Sequence, residues 1–107
     1  MIKVIGKKRL RMYKGDTGTI SFKLSGRESK PSDTYLFILK RNFNDTSIIF
    51  SEEFHQMEFT VEINESTSAL LNPGNYFWGL KLLREEDENN LVDTLIGSGE
   101  LIVEGCV

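Results

Sequence analysis

The fold is decided by the segment Leu71-Asn72-Pro73-Gly74-Asn75-Tyr76-Phe77-Trp78-Gly79-Leu80-Lys81-Leu82. A short turn leads into a strand that opens with Tyr76 and carries Trp78, Leu80 and Leu82 at alternate positions. This pattern is typical of a tyrosine corner, in which the ring is buried and its hydroxyl donates a hydrogen bond to upstream backbone. A corner of this kind belongs to β-sandwiches, so the segment favours a sandwich over a barrel.

Alternation of apolar and polar residues predicts further strands on both sides of this segment. Residues 17–24, 58–64 and 100–104 follow a period of two, which indicates half-buried antiparallel strands. Additional strands are predicted at 35–40, 47–54 and 75–83, and weaker ones at 2–4, 9–13 and 91–96. The one helical candidate, at 65–71, would form a crossover between the two sheets.

These elements predict an all-β protein with a single domain over residues 1–107. We expect an immunoglobulin-like or fibronectin-III-like antiparallel β-sandwich of about seven to eight strands, with one short crossover helical turn. The predicted core contains Ile20, Phe22, Tyr35, Phe37, Leu39, Phe59, Val61, Tyr76, Trp78, Leu80, Leu101 and Val103.

Two of the predicted strands carry apolar residues on both faces. Leu36 and Ile38 point away from the core in the strand at 35–40, and Phe77 does so in the strand at 75–83. If these strands are neighbours, the three side chains form an apolar patch, and exposed patches of this kind mark interaction sites. We therefore take Leu36, Ile38 and Phe77 as a candidate interface. The alternative is that a loop or the N-terminal segment covers them.

Composition and charge narrow the class of protein. Of the 107 residues, 39% are hydrophobic and 27% are charged, as expected for a globular domain. No apolar run reaches the roughly 20 residues of a membrane helix, and none follows the basic N-terminus as in a signal peptide. We therefore expect synthesis in the cytoplasm and no membrane partner. Cys106 has no second cysteine to pair with, which suits a reducing compartment.

The net charge of −3 conceals an asymmetry along the chain. Residues 1–30 carry nine Lys or Arg against two acidic side chains, and residues 31–107 carry four against fourteen, so the balances are +7 and −10. Three interpretations are open. The N-terminal part could form a basic face, opposite charges could pair between neighbouring strands, or copies of the chain could associate head to tail.

The sequence contains no pattern that predicts catalysis, so we expect neither an enzyme nor a cofactor. His55 is the one histidine, and a metal site usually needs three or four convergent ligands. No aromatic RNA-binding motif accompanies the basic N-terminus, so we expect no nucleic-acid partner. The alternative function is a carbohydrate-binding β-sandwich module. Its stacking rings would be Tyr13, Phe43 and Phe54, since Trp78 is predicted to be buried.

The order of the motifs along the chain carries a resemblance. Lys14-Gly15-Asp16-Thr17 precedes the first alternating strand, the strand at 35–41 follows, and Pro73-Gly74-Asn75-Tyr76 and Gly99-Glu100-Leu101 come later. This order resembles the immunoglobulin-like N-terminal domain of phage baseplate upper proteins and related small prophage structural proteins. The resemblance implies a non-catalytic structural or assembly protein of a phage or prophage particle, such as a baseplate, tail or adaptor subunit. It also implies protein partners, namely other phage structural proteins or copies of itself in a homo-oligomer, and a place in the virion.

Overall fold

The computed structural model describes residues 3–6, 8–24, 32–42, 47–86 and 89–105, which form eight strands and one short helix. The elements are β1 (Lys3–Gly6), β2 (Arg9–Tyr13), β3 (Gly18–Lys23), β4 (Thr34–Lys40), β5 (Phe50–Phe54), β6 (Glu58–Ile63), α1 (Glu65–Ala69), β7 (Gly74–Glu86) and β8 (Asn89–Glu104). The predicted all-β class and the single short helix are therefore confirmed.

The strands form two sheets of unequal size. The large sheet has six strands in the order β1-β2-β8-β7-β4-β5, and the small sheet pairs β3 with β6. The prediction of a wholly antiparallel fold is wrong, because β2 runs parallel to β8 from the pair Arg9–Glu100 to the pair Tyr13–Glu104. The two strands come from opposite ends of the chain, so no hairpin turn between them fixes their relative direction.

The core lies between the two sheets and is rich in aromatic rings. Phe22 of β3 lies 5.7 Å from Trp78 of β7 and 6.1 Å from Phe37 of β4, measured between ring centroids. Of the predicted core residues, all are buried except Ile20 and Phe22, which are partly buried and packed against the core. The core residues that the sequence prediction omitted are Leu10, Met12, Ile63, Leu71 and Leu82.

The predicted tyrosine corner is present. The buried Tyr76 donates a hydrogen bond from its hydroxyl to the backbone carbonyl of Asn72, at 2.8 Å. The crossover before it is the helix α1, whose first turn is capped by the Asn64 side chain accepting from the Thr67 amide at 2.9 Å. Lys14 donates to the carbonyl of Leu71 just after the helix, at 3.1 Å. These contacts fix the turn from which β7 starts.

The strands β7 and β8 form one long hairpin. The sequence predicted two separate strands at 91–96 and 100–104, whereas the structure has both ranges in the single strand β8. Their register shifts twice, between Trp78 and Leu80 and between Leu80 and Lys81, so β8 has extra residues there. Irregularities of this type bend a strand and increase its twist without ending it. Glycine-containing sequence that resembles a loop is therefore part of the strand in this hairpin.

Candidate interface on the outer face of the large sheet

The predicted patch lies on the face of the large sheet that points away from the core, which we call the outer face. On β4, Tyr35, Phe37 and Leu39 are buried, while Leu36 and Ile38 on the opposite side are half-buried. The condition that this strand neighbours the one carrying Phe77 is met, because β4 and β7 are hydrogen-bonded partners.

Two of the three predicted residues line the same groove. Ile38 and Phe77 contribute to a groove of about 220 Å³ on the outer face, whereas Leu36, two residues before Ile38 in β4, lies outside it. Ile38 faces Gly79 across the ladder, and a Cβ built at Gly79 would lie 3.0 Å from the carbonyl oxygen of Ile96. The bare backbone at Gly79 therefore leaves the floor of the groove open.

The groove also contains residues that sequence reasoning missed, namely Ile96 and the two lysines Lys40 and Lys81. In the β4–β7 ladder, Lys40 faces Phe77 and Lys81 faces Leu36. Neither lysine forms an ion pair with the residues that the structure describes. The period-two pattern could have placed both lysines on the outer face, because they alternate with core residues in their strands.

Charges further along the outer face are paired. Arg9 of β2 lies opposite Glu100 of β8, and the Arg9 Nε and a carboxylate oxygen of Glu100 are 3.4 Å apart. On the small sheet, Lys23 lies opposite Glu58. Basic N-terminal strands thus lie beside acidic later strands at these positions, as the charge-pairing interpretation of the asymmetry expects.

The small sheet has a different outer surface. Its outward-facing residues are all polar, and two of them, Ser21 and Thr60, share a hydrogen bond at 3.0 Å between their hydroxyl oxygens. The full set is Thr19, Ser21, Lys23, Glu58, Thr60 and Glu62. Apolar side chains on an outward face are therefore a property of the large sheet.

The other residues considered from the sequence do not converge on a site. His55 is exposed in the bend between β5 and β6, and Cys106 and Phe43 lie outside the described residues. Trp78 is buried as predicted, the Phe54 ring stacks on Phe59 at 4.3 Å, and Tyr13 is exposed. Of the three proposed sugar-stacking rings, the described part of the chain thus exposes one.

No group of three or more His, Cys, Asp or Glu side chains in the described ranges could hold a metal ion. Within the same ranges, the helix is too short to span a membrane.

The chain was compared with known proteins at the level of sequence and fold. No protein-family model matches it, and neither a curated protein nor a solved structure matches significantly.

Proposed function

We propose that this protein is a non-catalytic structural or assembly subunit that binds other proteins through the outer face of its large sheet. The observation that carries the proposal is the difference between the two outward faces. The small sheet presents only polar side chains, whereas the large sheet presents Leu36, Ile38 and Phe77 on neighbouring strands. Apolar side chains gathered on one outward face of a sheet are a feature of protein–protein contact sites.

The size of the groove supports a protein partner. Pockets that bind cofactors or small molecules usually enclose about 300–1,000 Å³. The groove between Ile38 and Phe77 holds about 220 Å³ and is open to solvent along the sheet. A space of this size takes one or two side chains from a partner, in the way that a central anchor residue fills a pocket in an interface.

We place this binding role in a phage or prophage particle, as a baseplate, tail or adaptor subunit. The support is the order of sequence motifs together with the tyrosine corner, which immunoglobulin-like sandwiches share. Tyr76 makes the expected bond to Asn72. The finer immunoglobulin-like assignment is part of this proposal, since the small sheet has two strands in the described residues where such domains have three or four.

Incorporation into particles tests the proposal. The strain that encodes the chain would be made to produce either the wild-type protein or the variant Phe77→Asp. Particles would then be induced in each strain and purified. We expect the wild type in purified particles at a fixed ratio to the tail proteins, and Phe77→Asp to be lost from them. Thr60→Asp, on the polar outward face, is the matched control and should be retained. Absence of the wild-type chain from particles would refute the proposed role.

A further inference from the structure

The groove on the outer face lies across three successive rows of the β4–β7 ladder. The rows are Lys40–Phe77, Ile38–Gly79 and Leu36–Lys81. Gly79 belongs to the middle row, and together with Gly97 it lines the groove without a side chain. The groove is therefore lowest at its centre, and the row on each side of the centre carries one lysine.

The two lysines lie at opposite ends of the groove. Neighbouring rows on one face are two residues apart, so the backbone positions of Lys40 and Lys81 are separated by about 14 Å along the strands. Both side chains line the groove and both are half-buried. The groove thus combines an apolar centre with an ammonium group at each end.

Within the described residues, the carboxylates near the groove leave both ammonium groups without an ion pair. Glu100 lies beside Phe77 on β8, but its carboxylate pairs with Arg9 at 3.4 Å. Glu53 is in the same row as Lys81, but it lies on β5, two strands and about 10 Å away. Two positive charges beside an apolar groove favour a ligand that is both anionic and apolar.

We propose that the groove binds an extended acidic segment of a partner protein, which places one large apolar side chain between Lys40 and Lys81 and a carboxylate beside each lysine. This inference rests on the proposed function and names the chemistry of the partner for the same face. The apolar side chain contacts Phe77 and Ile96 above the bare backbone of Gly79. The two carboxylates fix the position of the segment along the strands, because each pairs with a lysine at one end of the groove.

The positions of the lysines determine the sequence pattern of the segment. In an extended chain, alternate residues point to the same side and lie about 7 Å apart. An apolar residue above Gly79 therefore has its second neighbours above the rows of Lys40 and Lys81. The expected pattern is an acidic residue, any residue, a large apolar residue, any residue, and a second acidic residue. Because this pattern is the same in both directions, it fits a segment that runs either with β7 or against it.

The contact of one isolated segment is small, so we expect it to be weak. It consists of one apolar side chain and two charge pairs at the protein surface, and surface pairs contribute little each. We expect a dissociation constant of about 0.1–1 mM for the isolated segment, rising with salt because the charges are screened. In an assembly, several such contacts made at once would bind far more tightly than one.

Peptide titration followed by NMR tests the proposal with the full chain. The probe is a capped heptapeptide of sequence Gly-Asp-Ser-Phe-Ser-Asp-Gly, added to isotope-labelled protein in reducing buffer at low salt. The amide signals of Gly79 and Gly97, which line the groove, report its occupancy. We expect both signals to shift with one dissociation constant. Peptides with Asn in place of both Asp residues, or with Ala in place of Phe, should bind at least about tenfold more weakly.

Charge reversal in the protein provides the matched comparison. Lys40→Glu and Lys81→Glu each replace an attraction with a repulsion, so each should weaken binding of the acidic peptide about tenfold. The double variant should instead bind the reversed peptide Gly-Lys-Ser-Phe-Ser-Lys-Gly, which the wild type should not bind. The control is Lys23→Glu on the small sheet, which should bind the acidic peptide as the wild type does. Thermal unfolding of each variant shows whether it has folded.

The proposal is overturned if the Gly79 and Gly97 signals do not shift at about 5 mM peptide, if the Asn peptide binds as tightly as the Asp peptide, or if neither lysine variant weakens binding. Tighter binding of an oligothymidylate strand would also overturn it, because a phosphate backbone carries a charge on every nucleotide rather than on both sides of an apolar group. A chain that enters particles in a Phe77-dependent manner but binds no acidic peptide would refute this inference alone. Peptide binding by a chain that is absent from particles would refute only the particle role.

Discussion

The substitution Gly99→Ala tests how tightly the core packs around Trp78. Trp78 faces Gly99 across the β7–β8 ladder, and its indole nitrogen donates to the Glu100 carbonyl at 3.1 Å. A Cβ built at Gly99 would lie 2.5 Å from the indole Nε1 and closer still to the ring carbons Cδ2 and Cε2. The substitution Gly99→Ala therefore cannot be accommodated unless the indole moves.

The cost has two parts. Overpacking by one methyl group in a filled core costs typically about 1–3 kcal/mol. The displaced indole also loses its hydrogen bond to Glu100, which contributes about 1 kcal/mol. We therefore expect Gly99→Ala to lower the free energy of unfolding by about 3 kcal/mol. Because Trp78 packs against Phe37 with ring centroids 5.8 Å apart, the disturbance should spread to β4.

The assay is urea unfolding followed by circular dichroism and by the emission of Trp78, the one tryptophan of the chain. The matched control is Gly97→Ala, two residues away, where the added Cβ would lie 3.3 Å from a methyl group of Thr94. We expect the control to change the free energy of unfolding by less than about 1 kcal/mol. Equal stabilities of the two variants would refute the packing argument.

A double-mutant cycle makes the same test independent of the control. Trp78→Phe replaces the indole, which the Gly99 methyl group would meet, with a smaller ring that lacks Nε1, so Gly99→Ala should cost less in that background. We expect a coupling energy of about 1–2 kcal/mol, measured by circular dichroism because the tryptophan is gone. Strictly additive effects would mean that the methyl group and the indole do not collide.

Three further predictions concern the polar contacts of the fold. Asp33→Asn should lower the free energy of unfolding by about 3 kcal/mol in urea titrations, because it removes the buried carboxylate that pairs with the largely buried Arg84; a change below about 1 kcal/mol would contradict this. Tyr76→Phe removes the hydrogen bond to Asn72 and should lower the free energy of unfolding by about 1 kcal/mol, which thermal unfolding would show as a fall of several degrees in Tm. An unchanged Tm would show that the hydroxyl contributes nothing to stability. Arg9→Ala should change stability by less than about 0.5 kcal/mol, since its ion pair is exposed, and a larger loss would mean that its stem packs on the sheet.

The parts of the fold that depend on local chemistry were predictable. The turn before Tyr76 and the alternation along β4 and β6 each involve contacts within a few residues, so their signals are present in short windows of sequence. Leu10 and Met12 show the same alternation in β2, between Arg9, Arg11 and Tyr13. Their burial could also have been predicted from the period of two.

The long-range pairings could not be predicted in this way. The parallel β2–β8 pair joins the two ends of the chain without a turn that would set its direction. The ion pair between Asp33 and Arg84 spans 51 positions, and nothing in either local sequence indicates a buried charge. The lysines of the groove could be placed on the outer face, but their position beside Ile96 depends on the irregular register of β8.

The register of the groove explains why the apolar side chains of the outer face are half-buried. Lys40 faces Phe77 and Lys81 faces Leu36, at a separation of about 5 Å between Cβ atoms. The four-carbon stems of lysine can lie along apolar neighbours while the ammonium groups stay in water. In the free chain this arrangement accounts for side chains that are half-buried on an outward face. The same two lysines therefore limit the exposed apolar area of the outer face.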